Sequence, residues 1–225
     1  MERVKKTKAF VSWSGGKDAA LSYYRVMEKF HVTHLLNMIA EDGKVSRSHG
    51  IRTDILRMQA EAMGLHIVQP KSSWETYEEE FKKALAGLKD KGVKAGIFGD
   101  IDLEEHREWV ERVSKESGME AVLPLWGEKK RKDLIEELIE AGFETIVVAT
   151  KKDLLGLEWL GRRIDRDFIR DISKVERVDM SGEGGEYHTL VISGPIFKKR
   201  IKILKSEKVT RDQHCFLDIL ECELQ

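Results

Sequence analysis

Cysteine is nearly missing from this 225-residue chain: Cys215 and Cys222 are the only two, and they form no CxxC pair. That excludes a disulfide framework and argues against structural zinc and dithiol redox chemistry. Asparagine is scarcer still, with Asn37 alone. No apolar run approaches the roughly 18 residues that mark a bilayer span. The opening MERVKKTKAFVSW lacks the apolar core and small-residue cleavage site of a secretory signal, so no membrane association and a cytoplasmic location are expected. An excess of one charge is also absent, because 39 Lys and Arg face 40 Asp and Glu for a formal net charge of −1. The chain therefore carries no general footprint for nucleic acid. Charge itself is plentiful, at 35% of residues. Dense, balanced charge with few thermolabile amides is the pattern of surface ion-pair networks, and a thermophile source is expected.

What is present is an alternation. Residues 8–13 read as a short buried strand and 17–30 as a helix with Ala20, Leu21, Tyr24 and Met27 on one face. Strands follow at 31–40, 65–70, 94–100 and 119–123, with helices at 49–64, 72–91 and 103–117 between them. Ser72 and Glu75 have the spacing of a capping box and predict the start of the third helix. Strands and helices in turn imply right-handed crossovers and a parallel sheet covered on both faces. We therefore expect an α/β, doubly wound domain over residues 1–125, Rossmann-like, and a smaller α+β domain over 126–225. The change comes at Pro124-Leu125-Trp126-Gly127 and the charged run that follows. The second domain is read as helix (130–142), strand (143–150), further helix to about 175, and strands at 187–193, 197–205 and 215–222. Cys215 and Cys222, seven apart on one strand, are expected on opposite sides. Lys198, Lys199, Arg200, Lys202 and Lys205 read as the solvated basic face of a strand, on which an acidic or ribosome-associated partner could dock. Trp13, Tyr23 and Tyr24 read as core aromatics.

The first strand-to-helix turn of such a sheet is the usual phosphate site, and here it is Ser14-Gly15-Gly16-Lys17-Asp18. Gly15 and Gly16 let backbone N–H groups approach phosphate oxygens, the helix N-terminus adds its positive dipole end, and Lys17 adds a full charge. A Walker loop is excluded because Val11 stands where its first glycine belongs and Asp18 where Ser or Thr would hold magnesium. The dinucleotide fingerprint GxGxxG is absent as well. Asp18 either coordinates magnesium on a pyrophosphate or caps the helix. Asp100 follows Gly99 at the carboxyl end of a strand, where ligand-facing residues collect, although a helix N-cap would also suit it. His49 reads as a capping or surface residue. In Gly182-Glu183-Gly184-Gly185-Glu186-Tyr187-His188-Thr189 two carboxylates surround two glycines. The backbone can thus approach a ligand while Glu183, Glu186 or His188 binds magnesium or ammonium or takes a proton.

The SGGKD turn resembles the SGGxDS loop of the N-type ATP pyrophosphatases, the adenine nucleotide alpha hydrolase group, which cleave ATP between the α and β phosphates. Within that group the chain is similar to the diphthine–ammonia ligase family. The resemblance rests on Gly99-Asp100-Ile101, His106-Arg107-Glu108-Trp109, Pro124-Leu125-Trp126 and Gly182 to Leu190, and runs from about residue 10 to 192. Ala19 departs from the motif, where the family has its final serine. The resemblance implies ATP and magnesium as cofactors and ammonium as nitrogen source. It also implies translation elongation factor 2 carrying diphthine as protein substrate. The catalytic set would be Lys17, Asp18, Glu183 and Glu186. ATP would be held by Ser12, Ser14, Gly15, Gly16, Lys17, Asp18, Met38, Ile39, Gly99 and Asp100. The protein substrate would meet His106, Arg107, Gly184, Gly185, Tyr187, His188 and Thr189. An amidase cysteine with its own base is missing, so free ammonium is the expected nitrogen donor, and sulfur transfer is disfavoured. Two other readings remain open: an ATP-binding sensor without turnover, and ligation of another carboxylate. A homodimer stays open too.

Overall fold

The computed structural model describes residues 6–47, 49–127 and 130–225. The chain divides into two compact units, one of residues 1–14 and 18–127 and one of residues 15–17 and 128–225.

The first unit is a five-stranded parallel sheet in the order β3-β2-β1-β4-β5. Its strands are β1 (Thr7–Ser12), β2 (Phe30–Leu36), β3 (His66–Val68), β4 (Ala95–Ile97) and β5 (Glu120–Val122). The four crossover helices are α1 (Lys17–Val26), α2 (Thr53–Met63), α3 (Tyr77–Asp90) and α4 (Glu104–Glu116). β1 is central because Ala9, Phe10 and Val11 are all apolar and bury both faces of the strand, as an inner parallel strand must. Phe81, Leu85 and Leu88 of α3 and Val110 and Val113 of α4 share a cluster with Phe10, Leu36 and Phe98 on one face. Right-handed crossovers put α1 and α2 on the other. The topological switch lies between β1 and β4, which pair in parallel while their connections run in opposite directions along the sheet.

α3 begins later than the capping box predicts, at Tyr77 rather than after Ser72. Ser73 and Thr76 explain the delay: the Ser73 N–H donates to Thr76 Oγ1 at 2.9 Å, and the Thr76 N–H donates to Ser73 Oγ at 3.2 Å. The two hydroxyls close a turn that competes with the helix for the same backbone donors.

The second unit adds α5 (Arg131–Glu140), β6 (Glu144–Lys151), α6 (Arg166–Ile172), β7 (Tyr187–Ser193), β8 (Ile201–Arg211) and β9 (His214–Leu224). The strands form an antiparallel sheet in the order β7-β6-β9-β8. β8 starts four residues after the expected 197 and continues past 205 to a tight turn at Asp212, which has φ 52°. Arg200 pairs with Glu144 and Lys202 with Glu223, so the basic stretch is partly neutralised within its own unit. Cys215 is buried, Cys222 is half-buried and neither forms a disulfide.

Candidate active site

Residues at the carboxyl ends of β1, β2 and β4 surround a cavity of about 320 Å³ in the first unit. Ser12, Trp13, Ser14, Asp18 and Ala19 come from the β1–α1 turn, Leu36, Asn37 and Met38 from the end of β2, and Gly99, Asp100 and His106 from the β4–α4 connection. The turn is fixed from below. The Trp13 N–H donates to the Leu36 carbonyl at 2.8 Å, the Trp13 carbonyl accepts from Asn37 Nδ2 at 2.8 Å, and Trp13 Nε1 donates to Gln59 Oε1 at 2.8 Å. Gly99 lies against the start of α1, where a Cβ would stand 3.0 Å from the Ala19 nitrogen and 3.1 Å from the Asp18 carbonyl carbon. Only glycine lets β4 come this close to the helix start. His106 Nδ1 and Asp100 Oδ1 are 3.2 Å apart. Tyr77, also on the cavity wall, has its phenol pKa pushed up to about 12 by burial and then by the Asp100 carboxylate.

The remaining turn residues belong to the second unit. Gly15 adopts φ 86°, a left-handed conformation that suits glycine, and its carbonyl accepts from the Val191 N–H at 2.9 Å. The Lys17 N–H donates to Thr189 Oγ1 at 3.1 Å, and Lys17 Nζ lies 3.5 Å from Glu183 Oε1. Gly16 and Lys17 are buried. In the GEGGEYHT block, Lys151 Nζ donates to the Gly184 carbonyl at 2.7 Å, and a Cβ on Gly184 would press on the Glu186 carboxylate at 2.7 Å. Glu186 Oε1 accepts from the Asp179 N–H at 2.9 Å, while Oε2 is buried without a hydrogen-bond partner. Gly185 sits at φ 73°, and Tyr187 donates to the Met180 carbonyl at 2.6 Å. Burial first, then the neighbouring Lys17, His214 and Lys151 side chains, bring the His188 imidazole pKa down to about 4, so the ring is neutral at pH 7.

Ser12, Ser14, Asp18, Met38, Gly99, Asp100 and His106 thus come together around one cavity. His49, expected at a cap or the surface, lines it as well. Ile39 is buried beside Met38 and is not on the cavity wall. Arg107 is turned elsewhere: it pairs with Glu111 at 2.8 Å and lies 5.2 Å from the Trp126 ring.

The cavity fits an adenine nucleotide in two respects. Asn37 Oδ1 is buried without a donor, a deficit that an amino group on a bound base would remove. The start of α1, through Asp18 and Ala19, forms part of the cavity wall, and a helix N-terminus favours phosphate oxygens. Among the described residues no group of three His, Cys, Asp or Glu could hold a metal. That does not count against magnesium, which commonly takes one carboxylate, such as Asp18, together with substrate phosphates.

Residues 7–121 match the family described as diphthamide synthase N-terminal domain, and residues 130–224 match diphthamide synthase C-terminal domain. The chain belongs to the diphthamide synthase family. It is similar to the diphthine–ammonia ligase of Rattus norvegicus, 28% identical over 92% of this chain and 86% of that protein. The ligase of the same name from Schizosaccharomyces pombe is 26% identical over 93% of this chain but only 38% of its own length. That of Bos taurus is 32% identical over 63% of this chain and 54% of its own length. As a diphthamide synthase family member this protein is an ATP-dependent ligase.

Among the cavity residues that a reading of the sequence misses are Asn37, Arg47, Trp74 and Tyr77. Asn37 had one available signal, as the sole asparagine of the chain and placed at a strand's carboxyl end. Trp74 and Tyr77 sit where the capping-box reading places an ordinary helix start. Among the described residues no helix is long and apolar enough to cross a membrane.

Proposed function

We propose that this protein amidates diphthine on translation elongation factor 2 with ammonium, through an acyl-adenylate, releasing AMP and pyrophosphate. The observation that carries the reading is the β1–α1 turn, where Gly15, Gly16 and a buried Lys17 stand between the carboxyl end of the central strand and the start of α1. In this reading the first unit binds ATP, and the GEGGEYHT block of the second meets the protein substrate and ammonium.

The chemistry requires activation, because a carboxylate oxygen is a poor leaving group and ammonia alone does not displace it. The Lys17 ammonium and the turn's N–H groups stabilise the charge that builds on the departing pyrophosphate. Asp18 is the residue that would hold magnesium, which supplies further charge neutralisation on the phosphates. Glu183 and Glu186 offer carboxylates to ammonium, and the buried Oε2 of Glu186 lacks a donor that an ammonium N–H would provide. His188, neutral at pH 7, adds no competing positive charge.

The test is product analysis with ATP, magnesium and ammonium, with and without elongation factor 2 bearing diphthine. The expected result is AMP and pyrophosphate only when that substrate is present, with a mass change of the acceptor from acid to amide. AMP formed with an unrelated carboxylic acid would keep the chemistry and discard the diphthine assignment. ATP binding without AMP under any condition would leave a nucleotide sensor.

A further inference from the structure

Trp74 is the largest apolar side chain exposed to solvent among the described residues, 69% exposed, and yet it is rigidly held. It stacks on Tyr77 with ring centroids 5.9 Å apart at 28°, and Tyr77 stacks in turn on Phe81 at 6.3 Å and 12°. Phe81 is fully buried in the core cluster and packs on Trp109 at 5.0 Å. The indole is thus the outer end of a four-ring column rooted in the interior, presented at the wall of the nucleotide cavity. An aromatic fixed in this way loses little entropy when a ligand covers it.

Its face already attracts a cation. The Arg47 guanidinium lies 4.4 Å from the Trp74 ring centroid, and both residues line the cavity together with the carboxylates of Asp18 and Asp100. Arg47 is not satisfied by this contact, because its Nε is buried with no hydrogen-bond acceptor. Two needs therefore meet in one place: an aromatic face that takes positive charge, and a guanidinium donor that requires an oxygen acceptor. A betaine answers both, with a quaternary ammonium for the rings and a carboxylate for Arg47.

We infer that Trp74 and Arg47 recognise the betaine end of the acceptor: the guanidinium leaves the Trp74 ring for the carboxylate, and the trialkylammonium takes its place on the indole face. The inference rests on the proposed function, since diphthine carries a trimethylammonium on the carbon that bears the carboxylate to be amidated. A quaternary ammonium has no N–H to donate, so aromatic faces and diffuse negative charge from Asp100 are the contacts open to it. A purine would also stack on Trp74, but it would bring no positive charge to that ring or to Asp100.

The test uses calorimetry on the full chain with a non-hydrolysable ATP analogue bound. Its probes are the betaine N,N,N-trimethyl-2-aminobutyrate and the carbon isostere in which tert-butyl replaces trimethylammonium. Wild type is expected to bind the betaine about tenfold more tightly than the isostere. Trp74→Leu should abolish that preference, Trp74→Phe should keep most of it, and Arg47→Gln should weaken both probes. Affinity for the ATP analogue alone is measured for each variant as well, so that a loss of nucleotide binding is told apart from a loss of the betaine preference. Equal binding of the two probes to wild type would overturn the inference. So would a Trp74→Leu variant that loses the nucleotide and keeps the betaine preference, which would assign the ring to purine stacking. If wild type forms AMP with its protein acceptor yet shows no betaine preference, only this inference falls. Absence of AMP with that acceptor would instead sink the proposed function.

Discussion

The Lys17 N–H donates to Thr189 Oγ1 at 3.1 Å while the Lys17 ammonium lies 3.5 Å from Glu183 Oε1, so both ends of this lysine are held by the GEGGEYHT block. The side chain is 9% exposed and the Glu183 side chain 30%, an ion pair with limited access to screening water. A phosphate arriving at this turn meets a lysine whose position is already set.

Lys17→Ala should therefore lower kcat/KM for AMP formation by roughly 10²–10³, the range for removal of one preorganised electrostatic donor. Initial rates of AMP release measure the effect, and the thermal unfolding midpoint reports whether folding survives. A loss below about tenfold would remove Lys17 from the charge-stabilising role.

Gly99→Ala tests the close approach of β4 to α1. The added Cβ meets the Ala19 nitrogen at 3.0 Å, and backbone cannot swing aside as a flexible side chain can. A destabilisation of about 1–3 kcal/mol is expected, with weaker ATP binding because the α1 N-terminus must shift. Denaturant unfolding and nucleotide titration measure the two effects separately.

His188 makes stability depend on pH. Its pKa in the folded protein is about 4, below the ordinary imidazole value of 6.5, because burial and nearby cations disfavour the charged form. Between those two values the unfolded chain binds a proton that the folded one refuses. Stability should hold above about pH 6.5 and fall as pH drops from about 6.5 to about 4, by on the order of 3 kcal/mol from this residue. His188→Gln should flatten that part of the profile, which chemical denaturation at half-unit pH steps would reveal.

Glu78 joins α3 to α4 through Arg112 at 2.6 Å and Trp109 Nε1 at 2.9 Å, and it also pairs with Lys82 at 2.7 Å. Arg112 first, then Lys82, holds the Glu78 carboxyl well below the usual range. The network is at the surface, so Glu78→Gln should lower the unfolding midpoint at low salt and have less effect in about 1 M salt, where the screening length is about 3 Å. An equal loss at both ionic strengths would assign the effect to packing rather than charge.

The order of strands and helices in the first unit is legible because each crossover buries a run with its own period: apolar blocks such as Ala9-Phe10-Val11, then helices with one apolar face. The glycine turn between β1 and α1 is legible for the same reason, since its position follows from the order. The start of α3 is not, because Ser73 and Thr76 bond to each other as well as Ser and Glu would in a cap. The length of β8 is hidden too. Lys205 to Lys208 are exposed throughout, so no alternation marks this edge strand paired with β9. Trp74 could not be assigned to the cavity because its place depends on the column of Tyr77, Phe81 and Trp109, whose members are up to 35 positions away in sequence.

Gly15, Gly16 and Lys17 count with the second unit although strand β1 and most of α1, their neighbours in sequence, count with the first. A fragment ending at Gly127 would retain every strand of the parallel sheet and lose Thr189, Glu183 and Val191, the partners that hold Gly15 and Lys17. The two halves are therefore poor candidates for exchange between homologues. A chimaera joined between residues 127 and 128 would separate Gly15 and Lys17 from their own Thr189, Glu183 and Val191.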